Sequence, residues 1–384
     1  MRTQEQEALL HLVREVSRRQ IAPRAEQHEA AGTFPAELFA LLAELDVLGL
    51  PFATNDGGGG QPSTVVCQVL AELSRSFLAV GLGTSVHLLA TGVVATHADA
   101  EVRGDVLPRL ISGEWLAAYS LSEPDSGSDA AALITRAERD GDTYVINGTK
   151  AWVTHAGQAD CYVMFCRTGT HRTRGITALL VPADADGLEF PPSERKLGLR
   201  ASPTGQIVCR DVRVPARYRL GDEGAGFGIA MAALDSGRLG IAACAIGLSR
   251  AALHAAVAYA RSRRQFGRPI GAFQGVGFTV ADMASAIEAA DALCQRAAAA
   301  HDAGRPATTL AAMAKLTATD TAMRVTDSAL QIHGGVGYTT AYPVERYLRE
   351  AKVLQLVEGT NQIQRVVIAR NVMGELEEDE DEDG

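Results

Sequence analysis

Between about Ala117 and Gly221 the chain changes its residue grammar, and that change limits the folds open to it. Upstream, Leu9, Leu12, Val13 and Val16, then Leu38, Leu41, Leu42 and Leu45, recur at three- and four-residue steps, the spacing that lines one helix face with apolar side chains. The run Asn55-Asp56-Gly57-Gly58-Gly59-Gly60, followed by Pro62, interrupts the pattern before it resumes. The middle segment reads instead as short β-rich runs: Tyr144-Val145-Ile146, Thr149 to Thr154, Cys161 to Cys166, Ile176 to Val181 and Gln206 to Val214. Asn147-Gly148 between the first two predicts a hairpin turn, because both central positions of such a turn need positive φ. After Gly224-Ala225-Gly226 helical periodicity returns and runs to about Met373, with alanine concentrated in 281–300 and 307–322, which predicts close helix packing. The expectation is an α+β chain in three parts without a long linker: a helical domain over 1–116, a β-domain over 117–224 built as a barrel or two stacked sheets, and a helical bundle over 225–374.

A chain of 384 residues, 47% apolar and 21% charged, can bury an extensive core. The formal charge of −10 is unevenly placed, since residues 375–384 hold eight acids and no base. That segment is expected to be a solvated, disordered tail. The nearly neutral remainder excludes a generally basic nucleic-acid binder. Residues 76–98 lack Asp, Glu, Lys and Arg, but Gly81, Gly83, Thr84, His87, Thr91, Gly92, Thr96 and His97 make the stretch too polar for a typical membrane span. A buried helix pair without membrane insertion is expected there. The six cysteines form no CxxC pair and no leader pattern follows Met1, so a reduced cytoplasm is the expected setting.

No GxxxxGK[ST] loop, strand-GxGxxG-helix unit, HExxH pair or GxSxG elbow occurs, so the common nucleotide, metal and serine-nucleophile signatures are missing. Five polar and glycine clusters remain. Tyr119-Ser120-Leu121-Ser122-Glu123-Pro124-Asp125-Ser126-Gly127-Ser128-Asp129 offers hydroxyls and backbone N–H groups to an anion, or is a capped turn. Trp152-Val153-Thr154 could cover a planar ring or face the core. Arg261-Ser262-Arg263-Arg264, followed by Gln274, suits a phosphate or a solvated helix end. Gln331-Ile332-His333-Gly334-Gly335 allows close backbone approach or stops a helix. In Val357-Glu358-Gly359-Thr360-Asn361-Gln362 the acid follows apolar Leu354, Leu356 and Val357, and desolvation would raise its pKa toward that of a useful base.

Taken in order, AYSLSEPDSGSDA, INGTKAWVTHAG, KLGLRASPT, GFGIAMAALDSGRLGIA, RRQFGRPIGAFQ, QIHGGVGY and VEGTNQIQRVVIAR resemble the acyl-CoA dehydrogenase family over roughly residues 1–373. The resemblance implies an N-terminal helical domain, a middle β-domain and a C-terminal four-helix bundle, with FAD between the last two and a homotetramer built as a dimer of dimers. It implies that Tyr119, Leu121, Ser122, Gly127 and Ser128 line the flavin, and that Trp152 and Thr154 close around its ring. It further implies that a neighbouring subunit supplies Arg263, Gln274, Gln331, Gly334 and Gly335, and that Thr360 and Gln362 touch the cofactor beside the base.

Glu358 matches the family's catalytic carboxylate, which removes the proton α to a thioester carbonyl while the β-carbon passes a hydride to flavin N5. Ser128, Asp235, Arg238 and Gly359 match substrate contacts, although Arg238 suits a structural ion-pair partner equally well. Some relatives carry the base in the helix that reads LDSGRLG here, where this chain has Gly237. Val357 replaces an aromatic common before the base, which leaves room for a branched or bulky acyl group, and the pocket floor is expected near residues 85–98. No metal is implied. The expected partners are an acyl-CoA substrate and an electron-transfer flavoprotein. The alternatives are the same chemistry on an acyl group tethered to an acyl or peptidyl carrier protein, and a catalytically silent flavin-binding scaffold.

Overall fold

The computed structural model describes residues 3–374, so the acidic segment 375–384 lies outside the described residues. Six helices come first: α1 (Gln4–Val16), α2 (Ala22–Ala31), α3 (Ala36–Glu44), α4 (Ser63–Ser76), α5 (Leu78–His97) and α6 (Ala100–Ser112). Thr3 opens α1 with a capping box, its hydroxyl accepting from the Gln6 N–H at 3.2 Å while the Gln6 side-chain carbonyl accepts from the Thr3 N–H at 3.1 Å. Phe77, extended at φ −157° and ψ 111°, separates α4 from α5. The uncharged stretch 76–98 is therefore essentially one helix, not a pair. Helix α5 is long and apolar enough to cross a membrane, yet 83% of its most apolar window is buried inside the fold, where it serves as a core helix.

The β-domain contains β1 (Ala117–Ser120), β2 (Arg136–Asp140), β3 (Thr143–Thr154), β4 (Cys161–Arg167), β5 (Ile176–Pro182), β6 (Leu188–Glu189), β7 (Thr204–Pro215) and β8 (Arg219–Leu220). They form one sheet in the order β6-β7-β3-β2-β4-β5-β8, with β1 added parallel to β4. The two ends do not meet, so of the arrangements the sequence left open the closed barrel is not formed. The hairpin expected at Asn147-Gly148 is also corrected. That dipeptide lies inside the continuous strand β3, at a register shift against β7. Asn147 donates to Asp211 Oδ1 at 3.0 Å and accepts from the Asp211 N–H at 2.9 Å, which holds a bulge where a turn was expected. Gly148 sits at φ 145°, with Thr135 Oγ1 2.6 Å from where a Cβ would be.

The third part holds α7 (Gly226–Ser262), a small hairpin of β9 (Arg264–Gln265) and β10 (Arg268–Pro269), α8 (Gln274–Asp302), α9 (Thr308–His333), α10 (Val344–Leu354) and α11 (Asn361–Met373). Buried alanines such as Ala243, Ala290, Ala298, Ala311, Ala314 and Ala318 let α7, α8 and α9 share one core with α4 and α5. The start of α7 belongs to a different core, where Ile229 and Ala230 join Val163, Phe165 and Ala178 of the sheet. Helix α7 thus runs from the β-domain into the bundle, and residues 235–240 fall at the junction.

Candidate active site

Helix α10 ends at Leu354 and α11 starts after Thr360, whose hydroxyl accepts from the Ile363 N–H at 3.3 Å. In the turn between them Glu358 and Gly359 take φ values of 53° and 85°. For a glutamate this left-handed conformation costs about 1–2 kcal/mol, and the neighbours hold it. Gln364 Nε2 donates to the carbonyls of Glu358 at 3.1 Å and Gly359 at 2.9 Å. Lys315 Nζ, from the middle of α9, donates to the Gly359 carbonyl at 2.8 Å and to Asn361 Oδ1 at 2.9 Å. Asp320 Oδ1 accepts from Asn361 Nδ2 and Gln355 Nε2, each at 2.7 Å.

This turn brings the Glu358 carboxylate against α7 at Gly237. A Cβ on Gly237 would stand 2.7 Å from Glu358 Oε2, 3.1 Å from its Cδ and 3.5 Å from Leu89 Cδ2. Glu358 is half-buried as a residue, but Oε2 is enclosed and has no hydrogen-bond partner. An enclosed, unpartnered carboxylate oxygen costs stability and calls for a functional explanation. Burial pushes the carboxyl up to about 7, against the opposing pull of the Arg238 and Lys315 cations. Arg238 NH1 pairs with Asp235 Oδ1 at 2.6 Å, and Thr308 Oγ1 donates to Asp235 Oδ2 at 2.6 Å. Tyr119 on β1 donates to the Ala230 carbonyl at 3.2 Å. Burial, with the Glu358 charge second, holds its phenol well above the usual range. A cavity of about 410 Å³ is lined by Val66, Leu70, Leu88, Leu89, Gly92 and Leu239 among others, with Leu88, Leu89 and Gly92 coming from α5.

Next to β1, the loop that follows Leu121 is fixed by a buried ion pair. Lys150 Nζ donates to Glu123 Oε1 at 2.8 Å and to the Leu121 carbonyl at 3.1 Å, while the Glu123 carboxylate accepts from the Ile134 and Thr135 N–H groups at 2.7 and 2.9 Å. Ala151 N–H donates to the Ser122 carbonyl at 2.9 Å, tying the loop to β3. Trp152, at φ 60° in the irregularity between Lys150 and Val153, is 63% exposed. Thr154 and Ser122 are half-buried, Gly127 and Ser128 are exposed, and Leu121 is buried. An uncovered aromatic face beside hydroxyls and a glycine turn fits a flavin dinucleotide.

The structure therefore brings Glu358, Gly359, Tyr119, Asp235 and Arg238 to one junction, with Leu121, Ser122, Gly127, Ser128, Trp152 and Thr154 on the adjoining β-domain. Arg263, Gln274, Gln331, Gly334, Gly335 and Gln362 are exposed on the helical part and do not join the buried cluster within one chain. Phe266, 91% exposed, and Tyr338, 85% exposed, lie in the same stretches. Sequence reasoning passed over Lys150, Lys315, Asn361 and Gln364. A lone lysine in the alanine-rich run of α9 was the available signal for Lys315.

Comparison with known proteins places all three parts in one lineage. The acyl-CoA dehydrogenase N-terminal, middle and C-terminal domain models match residues 3–114, 118–212 and 224–373. An acyl-CoA dehydrogenase of Bacillus subtilis (strain 168) is 43% identical, covering 97% of this chain and 99% of its own. Butyryl-CoA dehydrogenase from Megasphaera elsdenii superposes with a TM-score of 0.95 at 36% identity, covering 97% of this chain and 99% of that one. A chain in a structure described as the electron transferring flavoprotein of Acidaminococcus fermentans, towards a mechanism of flavin-based electron bifurcation, matches with a TM-score of 0.96 at 37% identity, covering 98% and 99%.

Proposed function

The chain belongs to the acyl-CoA dehydrogenase family, whose members are FAD-dependent oxidoreductases acting on CH–CH bonds, and on that premise we propose that Glu358 removes the α-proton of an acyl thioester bound beside Gly237. Bound FAD supplies the acceptor for the hydride leaving the β-carbon. The observation that carries the assignment is Glu358 Oε2, enclosed and unpartnered above a glycine. A carboxylate raised to about 7 is poised to take a proton near neutral pH. Glu358 N–H donates to no group among the described residues and is free for the thioester oxygen, a contact typically worth about 3 kcal/mol as charge develops there. Arg238, braced by Asp235, supports the thioester end together with Gly359 and Ser128. The cavity between α5 and α7, walled largely by Val66, Leu70, Leu88, Leu89, Val93 and Leu239, would take the acyl chain and keep water from the carbon acid.

Tyr119, Leu121, Ser122, Gly127, Ser128, Trp152 and Thr154 would hold the flavin on one side, and Thr360 and Gln362 beside the base. Arg263, Gln274, Gln331, Gly334 and Gly335 would reach the cofactor of a second copy, a reading supported by the exposed Phe266 and Tyr338 near them, and the assembly proposed is a dimer of dimers. The match to a chain in a structure described as an electron transferring flavoprotein supports an electron-transfer flavoprotein as the acceptor. Val357 and the small α5 residues favour a branched or bulky acyl group.

Anaerobic titration of the FAD-loaded protein with straight and branched acyl-CoAs tests this reading. Bleaching of the flavin absorbance is expected, and Glu358→Gln should keep FAD and fold while abolishing the bleaching. Normal bleaching in that variant would remove Glu358 from the chemistry. Faster bleaching by the same acyl group on a carrier protein would reassign the tether, and no bleaching by any thioester would leave a flavin-binding scaffold.

A further inference from the structure

Lys315 has no exposed surface, yet it carries an ammonium into a helix whose neighbouring buried residues are mostly Ala and Thr. A hydrophobic residue of similar length would fill the same space without the cost of desolvating a charge. Both of its hydrogen bonds reach out of α9 to the turn that carries Glu358: 2.8 Å to the Gly359 carbonyl and 2.9 Å to Asn361 Oδ1. Thr319, one helical turn further along, also meets Asn361, with its hydroxyl 2.9 Å from Nδ2. The Gly359 carbonyl additionally accepts from Gln364 of α11, so donors from two helices fix a turn with two consecutive positive φ values.

Two cations act on Glu358, Arg238 more strongly than Lys315. Arg238 is committed to Asp235 at 2.6 Å, and Tyr119 is neutral with its hydroxyl on the Ala230 carbonyl. Asp320, the other acid near Lys315, already accepts from Asn361 and Gln355 and pairs with Arg365 at 3.2 Å. Lys315, the second cation acting on Glu358, makes no ion pair among the described residues and reaches the base through the turn that carries it. We propose that Lys315 is the positioning residue of the base: it clamps the Glu358-Gly359 turn so that the carboxylate stays over Gly237, and it contributes the buried positive charge that keeps that carboxylate ionised in a dry site. Burial draws the ammonium down to about 7 while Glu358 and Asp320 oppose the shift, as expected of two groups that share one site.

This inference rests on Glu358 being the base, and the experiment separates the two claims. FAD-loaded parent, Glu358→Gln, Lys315→Met and Asn361→Ala are compared for anaerobic flavin reduction between pH 6 and 9, using butyryl-CoA or isobutyryl-CoA, whichever bleaches the parent faster. Affinity for pivaloyl-CoA, which has no α-hydrogen, is measured by calorimetry, alongside FAD content and Tm. Lys315→Met should reduce flavin about 100-fold more slowly, as a misplaced group does. Its pH for half-maximal rate should rise by about one unit with loss of the cation, while pivaloyl-CoA affinity stays within about threefold of the parent. Asn361→Ala removes the amide that accepts from Lys315 and donates to Thr319 and Asp320, but no charge, so it should slow reduction without moving the pH profile; it decides the clamp alone if Lys315→Met does not accumulate as holoenzyme. Parental rate and pH profile in Lys315→Met, or a loss proportional to lost FAD in either variant, overturns the proposal. Bleaching by Glu358→Gln overturns the base assignment instead.

Discussion

Replacing Gly237 by alanine tests the site at its narrowest point. The new Cβ would lie 2.7 Å from Glu358 Oε2, where ordinary contact begins at about 3.4 Å, so the carboxylate must retreat by about 0.7 Å. It can do so cheaply, because Oε2 is the end of a flexible side chain, and the next neighbour, Leu89 Cδ2 at 3.5 Å, is already at an ordinary contact distance. Alanine also gains about 0.5–1 kcal/mol over glycine inside a helix. The fold should therefore keep its Tm or gain slightly, and FAD content should not change. Catalysis should respond differently, since a displacement approaching 1 Å at a reacting group costs about 100-fold in rate, equivalent to about 2.7 kcal/mol of barrier. Rapid-mixing measurement of flavin reduction, beside a thermal melt, reads both quantities. A parental rate in Gly237→Ala would mean that the carboxylate does not occupy the space above α7. A fall in Tm of many degrees would mean that something rigid fills that space, and the account of the base would be wrong in either case.

His155 and His87 are fully buried, and burial pulls both down to about 4 from an ordinary 6.5. The unfolded chain binds these protons first as pH falls, so the stability they contribute is present above about pH 6.5 and lost toward pH 4, up to about 3 kcal/mol for each. His155→Asn should flatten the dependence of Tm on pH between 7 and 4.5; a slope equal to the parent's refutes this. Lys150→Met leaves Glu123 buried and unpaired, which should cost about 3–5 kcal/mol in urea unfolding and speed FAD release. An unchanged urea midpoint would show that the ion pair does not hold the loop.

The three-part order was legible because hydrophobic period is a local property: helical steps before Ala117 and after Gly226, short β-runs between them. The hairpin expected at Asn147-Gly148 failed for the opposite reason. Asn-Gly is a strong local turn signal, but here Asp211, on a strand 64 residues away, takes the Asn147 side chain on both its donor and acceptor atoms. Lys315 was silent for a similar cause, since its partners lie 44 and 46 residues further on and only the folded chain brings α9 beneath the turn. The residues proposed to hold the flavin were readable as a composition of hydroxyls and glycine, yet the Lys150 to Glu123 pair that shapes their loop was not.

Gly237 shows most plainly what a sequence withholds. In the string LDSGRLG the glycine read as the absence of a base, a vacancy to be filled from elsewhere. In the fold it is a volume, because the Cβ that any other residue would place there falls within contact of Glu358 Oε2. Positions 237 and 358 approach one space from two elements, α7 and the α10–α11 turn, and that space holds one carboxylate. A Cβ at 237 would displace the Glu358 carboxylate from its place over α7, whereas the observed placement of that acid needs hydrogen at 237 and a clamp on its turn. The glycine, the positive φ values and the buried lysine are then three consequences of a single choice of which element carries the acid.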